Sequence, residues 1–296
     1  MASKSDLGGA MSNIVVRRGK AEDAPALGEI CYRAFKAIAD EHNYPPDFPD
    51  AERATGAIGM MIGHPGVFDV VAELGGRMVG SNFLDERSAI TGIGPISVDP
   101  DVQNEGVGRV LMGAVMDRSA ERGAAGVRLV QSAYHRRSLA LYLKLGFEAR
   151  EMLVCFQGDP IGQGVGGARV RAATPGDAAA CNRLCFDAHG HDRAGELADA
   201  IAHGVAQVVE RDGRITGYAS QVAFFGHAVG ESNDDLKALI GAATAFPGPG
   251  FLVPSRNSEL VRWCLAHGLR INQAMTLMSI GLYAEPKGAW LPSVLY

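Results

Sequence analysis

Val16-Arg17 recurs as Val170-Arg171, Asp23 as Asp177, and Cys31-Tyr32 as Cys185-Phe186, all at a constant offset of 154 residues. Chance does not hold such a register, so the chain is expected to contain one unit twice. Near the far end of each copy a short amphipathic helix closes on glycine and an apolar residue: Gly146-Phe147 after LALYLKL, and Gly268-Leu269 after LVRWCLAH. There the offset is 268 − 146 = 122, which makes the second copy 32 residues shorter. At 296 residues with 47% hydrophobic content, the chain has enough apolar side chains for two ordinary cores.

Between the copies runs GDPIGQGVGG, Gly158 to Gly167, a composition that favours a flexible connector. The expected division is a flexible tail at residues 1–12, a first domain at 13–157, a Gly-rich linker at 158–167 and a second domain at 168–296. The connector contains Gly162-x-Gly164-x-x-Gly167, a dinucleotide-binding pattern, but that pattern belongs after a strand and before a helix. Here a β-rich run, Ala168 to Arg171, comes next, so the expectation is a linker.

A formal charge of −5 without a basic run argues against nucleic acid as a partner, because phosphate-backbone binding needs clustered Lys and Arg. Five cysteines with no CxxC pair suit a reducing compartment better than a disulfide framework. The stretch MASKSDLGGAMSN has no apolar core for a signal peptide, and no run approaches the length of a membrane span. A cytoplasmic protein with no membrane partner is expected.

In the first copy, Ile14 to Arg17 reads as a strand and Asp23 to Ala39 and Ala51 to Ile62 as helices. Val67 to Glu73 and Arg77 to Asp85 form a hairpin across Gly75-Gly76, and Ala89 to Val98 continues as a third strand. The loop Gln103-Asn-Glu-Gly106-Val-Gly108 follows, and Val107, Val110, Leu111, Ala114 and Val115 fall at helical spacing. A strand, a glycine loop and a helix N-terminus make a phosphate cradle: the glycines carry no Cβ, and the helix start offers unpaired N–H groups and a positive dipole end. Gly126 to Gln131 then reads as a buried strand, His135 to Leu145 as a helix and Glu148 to Phe156 as a closing strand.

Two motifs give this copy its resemblance to the GNAT superfamily of N-acetyltransferases. The pattern Gln/Arg-x-x-Gly-x-Gly/Ala is present as Gln103, Gly106 and Gly108, and Tyr-x-x-x-Gly-Phe is present as Tyr142, Gly146 and Phe147. They stand roughly 35 residues apart with a strand and a helix between, and this context gives short motifs weight. The resemblance covers Asn13 to Gln157, and the second copy resembles a degenerate relative. It implies an α/β (α+β) fold of two tandem GNAT-like domains, each a mixed, mostly antiparallel sheet flanked by helices. It implies acetyl-CoA as co-substrate, no metal, and direct transfer in a ternary complex to a primary amine of a small molecule or peptide.

By the same resemblance, the N–H groups of Asn104, Glu105, Gly106, Val107, Gly108 and Arg109, beside Gln103, take the pyrophosphate of coenzyme A. Glu105 must then turn its carboxylate to solvent, with Asp99 and Asp101 nearby. Ile96, Ser97 and Val98 hydrogen-bond the pantetheine arm like a neighbouring strand, the Val98 N–H polarises the acyl carbonyl, and Ser138 joins the cofactor contacts. Tyr142 is the expected general acid, since a phenol with pKa near 10 can deliver a proton to a departing thiolate; as a core residue it would simply pack with Leu139, Leu143 and Leu145. His135 stands where the family often has Asn. Glu41, His42, Asp85 and His135 are candidates for the general base, which is left unassigned.

The second copy reads Gly230-Glu-Ser-Asn-Asp-Asp235 where a glycine loop would open its central helix, and those acids suit a helix N-terminus that holds no phosphate. Cys264 replaces the tyrosine, so only the first copy is expected to transfer an acyl group; the second completes the acceptor pocket or supports a homodimer. Cys181, Cys185, His189 and His191 are read as a buried helix face in preference to a metal site, and Trp290 to Tyr296 as a packed terminal strand or a tail docked near the first domain's site. A catalytically silent acyl-CoA or metabolite-binding sensor, a donor such as succinyl-CoA and an O-linked acceptor are the alternatives.

Overall fold

A computed structural model describes residues 13–295, so the expected tail at residues 1–12 lies outside the described residues, as does Tyr296. The chain forms two compact units, one running to Glu86 and resuming at Thr91–Val127, the other made of Arg87–Ile90 and Arg128 onward.

The first unit contains β1 (Ile14–Arg17), α1 (Ala24–His42), α2 (Ala51–Gly63), β2 (Val67–Leu74), β3 (Arg77–Asp85), β4 from Thr91 (the strand is Ile90–Ile93), β5 (Ser97–Val98) and α3 (Val107–Glu121). Asn43, with φ of 58°, ends α1, and the Asp50 carboxylate starts α2 by accepting the Arg53 N–H at 2.8 Å. Gly75 and Gly76 take positive φ in the hairpin turn, where a side chain would be strained. β1, β2, β3 and β4 pair antiparallel in that order. Leu27, Cys31, Ile58, Val71 and Phe83 meet in one apolar cluster between the helices and the sheet.

The expected third strand, Ala89 to Val98, is broken. Ile93 faces Leu84 while Val98 faces Gly80, so four steps along β3 match five along its partner. The extra residue falls at Gly94-Pro95-Ile96, where proline has no N–H to give the ladder. The apolar alternation ran through this bulge and concealed it.

The second unit takes in β6 from Arg128 (the strand is Gly126–Ser132), α4 (Arg136–Lys144), β7 (Glu148–Gln157), β8 (Arg169–Ala172), α5 (Ala178–His189), α6 (Ala194–Ala202), β9 (Gln207–Arg211), β10 (Arg214–Ala219) and β11 (Ala228–Gly230). It continues with α7 (Asn233–Ala242), β12 (Phe251–Pro254), α8 (Ser258–Ala266), β13 (Arg270–Gly281) and β14 (Ala289–Leu291). One sheet has the order β14-β11-β10-β9-β8, and the other strands lie in the order β6-β13-β7-β12. In that second row the copies alternate: β7 is flanked on both sides by strands of the second copy, and β13 on both sides by strands of the first. Phe156, Leu236, Leu239, Phe251, Val253 and Leu260 form one apolar cluster, and burying each such side chain contributes about 1.5–3 kcal/mol.

The connector at 158–167 is irregular and leads into β8, and it is docked and does not swing free. Ile161 and Val165 pack against the second unit's core, and a Cβ on Gly241 of α7 would lie 2.1 Å from the Gln163 carbonyl oxygen. Two apolar residues among the glycines supply the reason.

Repetition shows at the level of contacts. The Arg17 guanidinium donates twice to Asp23, at 2.6 and 3.1 Å, and once to Glu73 at 2.7 Å. Arg171 does the same with Asp177, at 2.7 and 2.8 Å, and with Glu210 at 2.8 Å. The arginine bonds hold both aspartates below the usual carboxylate range although burial opposes them.

Candidate functional site

The site is assembled in the first unit from β5 upward. Gly80 lets β5 approach β3: a Cβ there would lie 2.4 Å from the Ser97 carbonyl oxygen. The Asp99 N–H donates to the Val79 carbonyl at 2.8 Å. Because bonding alternates along an antiparallel pair, Ser97 also faces β3, and the N–H and C=O of Ile96 and Val98 turn to the other side. The Val98 carbonyl there accepts the Gln103 side-chain amide at 3.4 Å. β5 thus presents main-chain polar groups on an edge that β3 does not use.

Asp99, 1% exposed, fixes the next turn by accepting from Arg77 at 2.6 Å and from the Asp101 N–H at 3.2 Å, with Arg33 at 3.5 Å. Burial would raise its pKa, but the Asp101 N–H and the two arginines outweigh it and hold the carboxylate low. Arg33 also meets Asp101 at 3.1 Å, so both acids near the loop are neutralised by cations. Asn104 and Gly106 follow with φ of 77° and 90°, and Gly106 caps α3 without any side-chain bond. Among the described residues, the N–H groups of Asn104, Gly106, Val107 and Gly108 find no backbone acceptor, whereas the Arg109 N–H, expected in the cradle, donates to the Gly106 carbonyl at 3.0 Å. Val107, Leu111, Met112 and Val115 anchor the helix in the core, while Glu105 and Arg109 are exposed.

The second unit holds the remaining candidates. Tyr142 is 5% exposed on α4, with the Phe147 ring edge-on at 6.2 Å. Burial pushes its phenol up to about 12, against a hydrogen bond from Ser138 one turn earlier. The His135 Nδ1 accepts the Ser138 N–H at 3.2 Å and so caps α4; Asn257 does the same for Leu260 of α8 at 3.3 Å. Of the other base candidates, Glu41 is exposed, His42 Nδ1 is bonded to the Ile38 carbonyl at 3.0 Å, and Asp85 is buried in β3.

The second copy repeats the framework without the cradle. Glu231 N–H donates to the Thr216 carbonyl at 2.9 Å, Arg214 pairs with Glu231, and Gly217 faces Gly230, matching Asp99 with Val79, Arg77 with Asp99, and Gly80 with Val98. Residues 100–106 separate Asp99 from α3, but Ser232 alone separates Glu231 from α7, so the loop has been removed. Asp235 fills the helix start, accepting from Ser232, from Thr216 at 2.8 Å and from Arg211 at 2.9 Å. The edge of β11 that would match the outer side of β5 is taken by β14, with Gly230 opposite Ala289 and Val229 opposite Trp290. The tail is thus a packed strand at residues 289–291. Cys181 and Cys185 lie in an apolar cluster with Leu197 and Val208, and the His189 ring meets Trp290 edge-on at 5.4 Å.

Gly80 and the Arg77–Asp99 pair were not singled out in the sequence; their recurrence at Gly217 and Arg214–Glu231, after matching hairpin turns, was the available signal.

Residues 31–147 match the model of the acetyltransferase (GNAT) family. This segment belongs to that family. The GNAT segment includes both motifs, from Gln103 through Phe147. A 64-residue stretch is 42% identical to ribosomal protein bS18-alanine N-acetyltransferase of Escherichia coli K12; it covers 22% of this chain and 40% of that enzyme. Over almost the whole chain, the fold is shared with solved proteins, a tandem GNAT protein among them. A protein from Pyrococcus horikoshii provisionally assigned as an acetyltransferase aligns with a TM-score of 0.72 at 17% identity, covering 93% of this chain and 92% of that one. A tandem GNAT protein from the clavulanic acid biosynthesis pathway aligns with a TM-score of 0.55 at 14% identity, covering 90% and 98%. Among the described residues no helix is long and apolar enough to cross a membrane.

Proposed function

We propose that this chain is an acetyl-CoA-dependent N-acetyltransferase acting by direct transfer to a primary amine of a small molecule or peptide, with one competent GNAT site in its first copy. The observation that carries the reading is the start of α3, where the N–H groups of Asn104, Gly106, Val107 and Gly108 find no backbone acceptor, directly after a strand whose outer edge β3 does not use. Such a row fits a pyrophosphate, each helix-dipole contact contributing about 0.3–1 kcal/mol. Acetyl-CoA, when bound, supplies the activated acyl group. In this reading Ile96 and Val98 hold the pantetheine arm, the Val98 N–H polarises the acyl carbonyl, and Gln103, Arg109 and Ser138 complete the contacts. Tyr142, protonated at neutral pH, delivers its proton to the departing sulfur. The repeat boundaries at 157 and 168, a cytoplasmic location and a homodimer belong to the same proposal.

Removal of the loop before α7, the Asp235 cap and the pairing of β14 with β11 support a single site per chain. Calorimetry with acetyl-CoA should give one site, and thiol release should appear with some member of an amine panel. Binding without release from any amine would favour a sensor; absence of binding would end the acyltransferase reading.

A further inference from the structure

We infer that the cavity between the starts of α7 and α8 and the run into β14 is a binding site for a small organic carboxylate, whose anionic end Arg256 holds. The cavity measures about 350 Å³, the scale of a small-molecule site, and it opens to solvent. Pro254, Pro286, Ala289 and Trp290 give it an apolar lining, and Arg256, Asn233 and Asn257 supply polar groups. Its walls stand ready before any ligand arrives. The Asn233 side-chain amide donates to Asn257 Oδ1 at 3.1 Å and accepts from Asn257 Nδ2 at 2.8 Å, so the two amides lock each other. The Lys287 N–H donates to the Ala188 carbonyl at 2.8 Å and Ala289 pairs with Gly230, which fixes both flanks of Gly288. Little ordering is left for binding to oppose.

Arg256 decides the chemistry. Its Nε donates to Glu151 at 2.7 Å, and its Nη1 donates to Glu285, the residue before Pro286. The Glu151 side chain is 7% exposed and that of Glu285 69%. The first contact therefore anchors the guanidinium, while the second is a solvent-screened pair that a ligand carboxylate can replace one for one. A guanidinium fork suits carboxylate and phosphate alike, but Glu231, although paired with Arg214, also lines the cavity, and Glu151 stands behind the arginine. A dianion meets more repulsion there than a monoanion does. An extended coenzyme arm along β11 is excluded, because β14 already uses that edge.

Ligand-observed NMR titration of the full chain with phenylacetate tests the site. Saturable binding with a Kd of about 1 mM or tighter is expected, and phenylacetamide, which lacks the charge, should bind about tenfold more weakly. Arg256→Gln should weaken phenylacetate by about tenfold, whereas Glu285→Gln, which removes the competing carboxylate, should tighten it about three- to tenfold. The second variant alters an exposed side chain and carries the test even if the first does not fold. The inference is overturned if phenylacetate does not bind, if the amide binds equally well, if Glu285→Gln leaves the affinity unchanged, or if phenyl phosphate binds more tightly. Displacement of phenylacetate by coenzyme A would also overturn it, by showing a coenzyme pocket. The acyltransferase reading stands or falls separately, on whether coenzyme A binds the wild-type chain at all.

Discussion

Tyr142 combines two demands on one phenol: burial raises its pKa to about 12, which keeps the proton in place, while Ser138 supplies a polar neighbour that makes burial tolerable. Tyr142→Phe keeps the ring contact with Phe147 and removes the hydroxyl, and with it the proton and the bond to Ser138. In steady-state thiol release it should lower kcat by about a hundredfold or more with little change in acetyl-CoA affinity, and an unaltered kcat would remove the acid role. The tyrosine, the two loop glycines and the recurrence of Arg17 and Asp23 as Arg171 and Asp177 were legible in the sequence, because each is a residue type in a spaced pattern; that these arginines and aspartates pair was not. Gly80 was not, since a lone glycine in an apolar strand does not announce that a neighbouring backbone passes close to it.

At the scale of elements, β5 is placed by what β3 lacks. Gly80→Ala sets a methyl group 2.4 Å from the Ser97 carbonyl, so β5 must shift, and a displacement near 1 Å in a positioned site costs on the order of a hundredfold in rate. We expect kcat/KM to fall by that order while circular dichroism stays native. Gly217→Ala in the second copy meets the Asp235 Cβ at 2.9 Å; it should lower Tm yet leave acetyl-CoA affinity intact. Hairpins and amphipathic helices were readable from Gly75-Gly76 and from apolar spacing. The bulge at Gly94-Pro95 and the neighbours of β7 and β13 were not, because periodicity reveals which face of a strand is buried and is silent on which strand lies beside it.

For the whole molecule, pH dependence follows from the second unit. His189, His191 and His227 all sit below the ordinary value near 6.5 because burial disfavours the imidazolium; Arg193 adds to the fall at each, while the Glu196 carboxylate opposes it at His227 and the Asp192 carbonyl opposes it at His191. The unfolded chain takes up protons below pH 6.5 that the folded chain refuses. Stability is therefore fully present above 6.5 and is lost as pH falls toward the folded values, about 4 for His191. Melting curves from pH 8 to 4.5 should decline from near 6.5, before the carboxylates titrate; a flat profile down to pH 5 would contradict this. A chain cut after residue 157 should show no cooperative melt, since β7 would keep neither of its neighbours. The alternation β6-β13-β7-β12 also bears on biosynthesis. While the ribosome is still making the C-terminal third, β7 waits with bare edges for partners more than ninety residues downstream, so the nascent chain is exposed to mispairing until translation is nearly over.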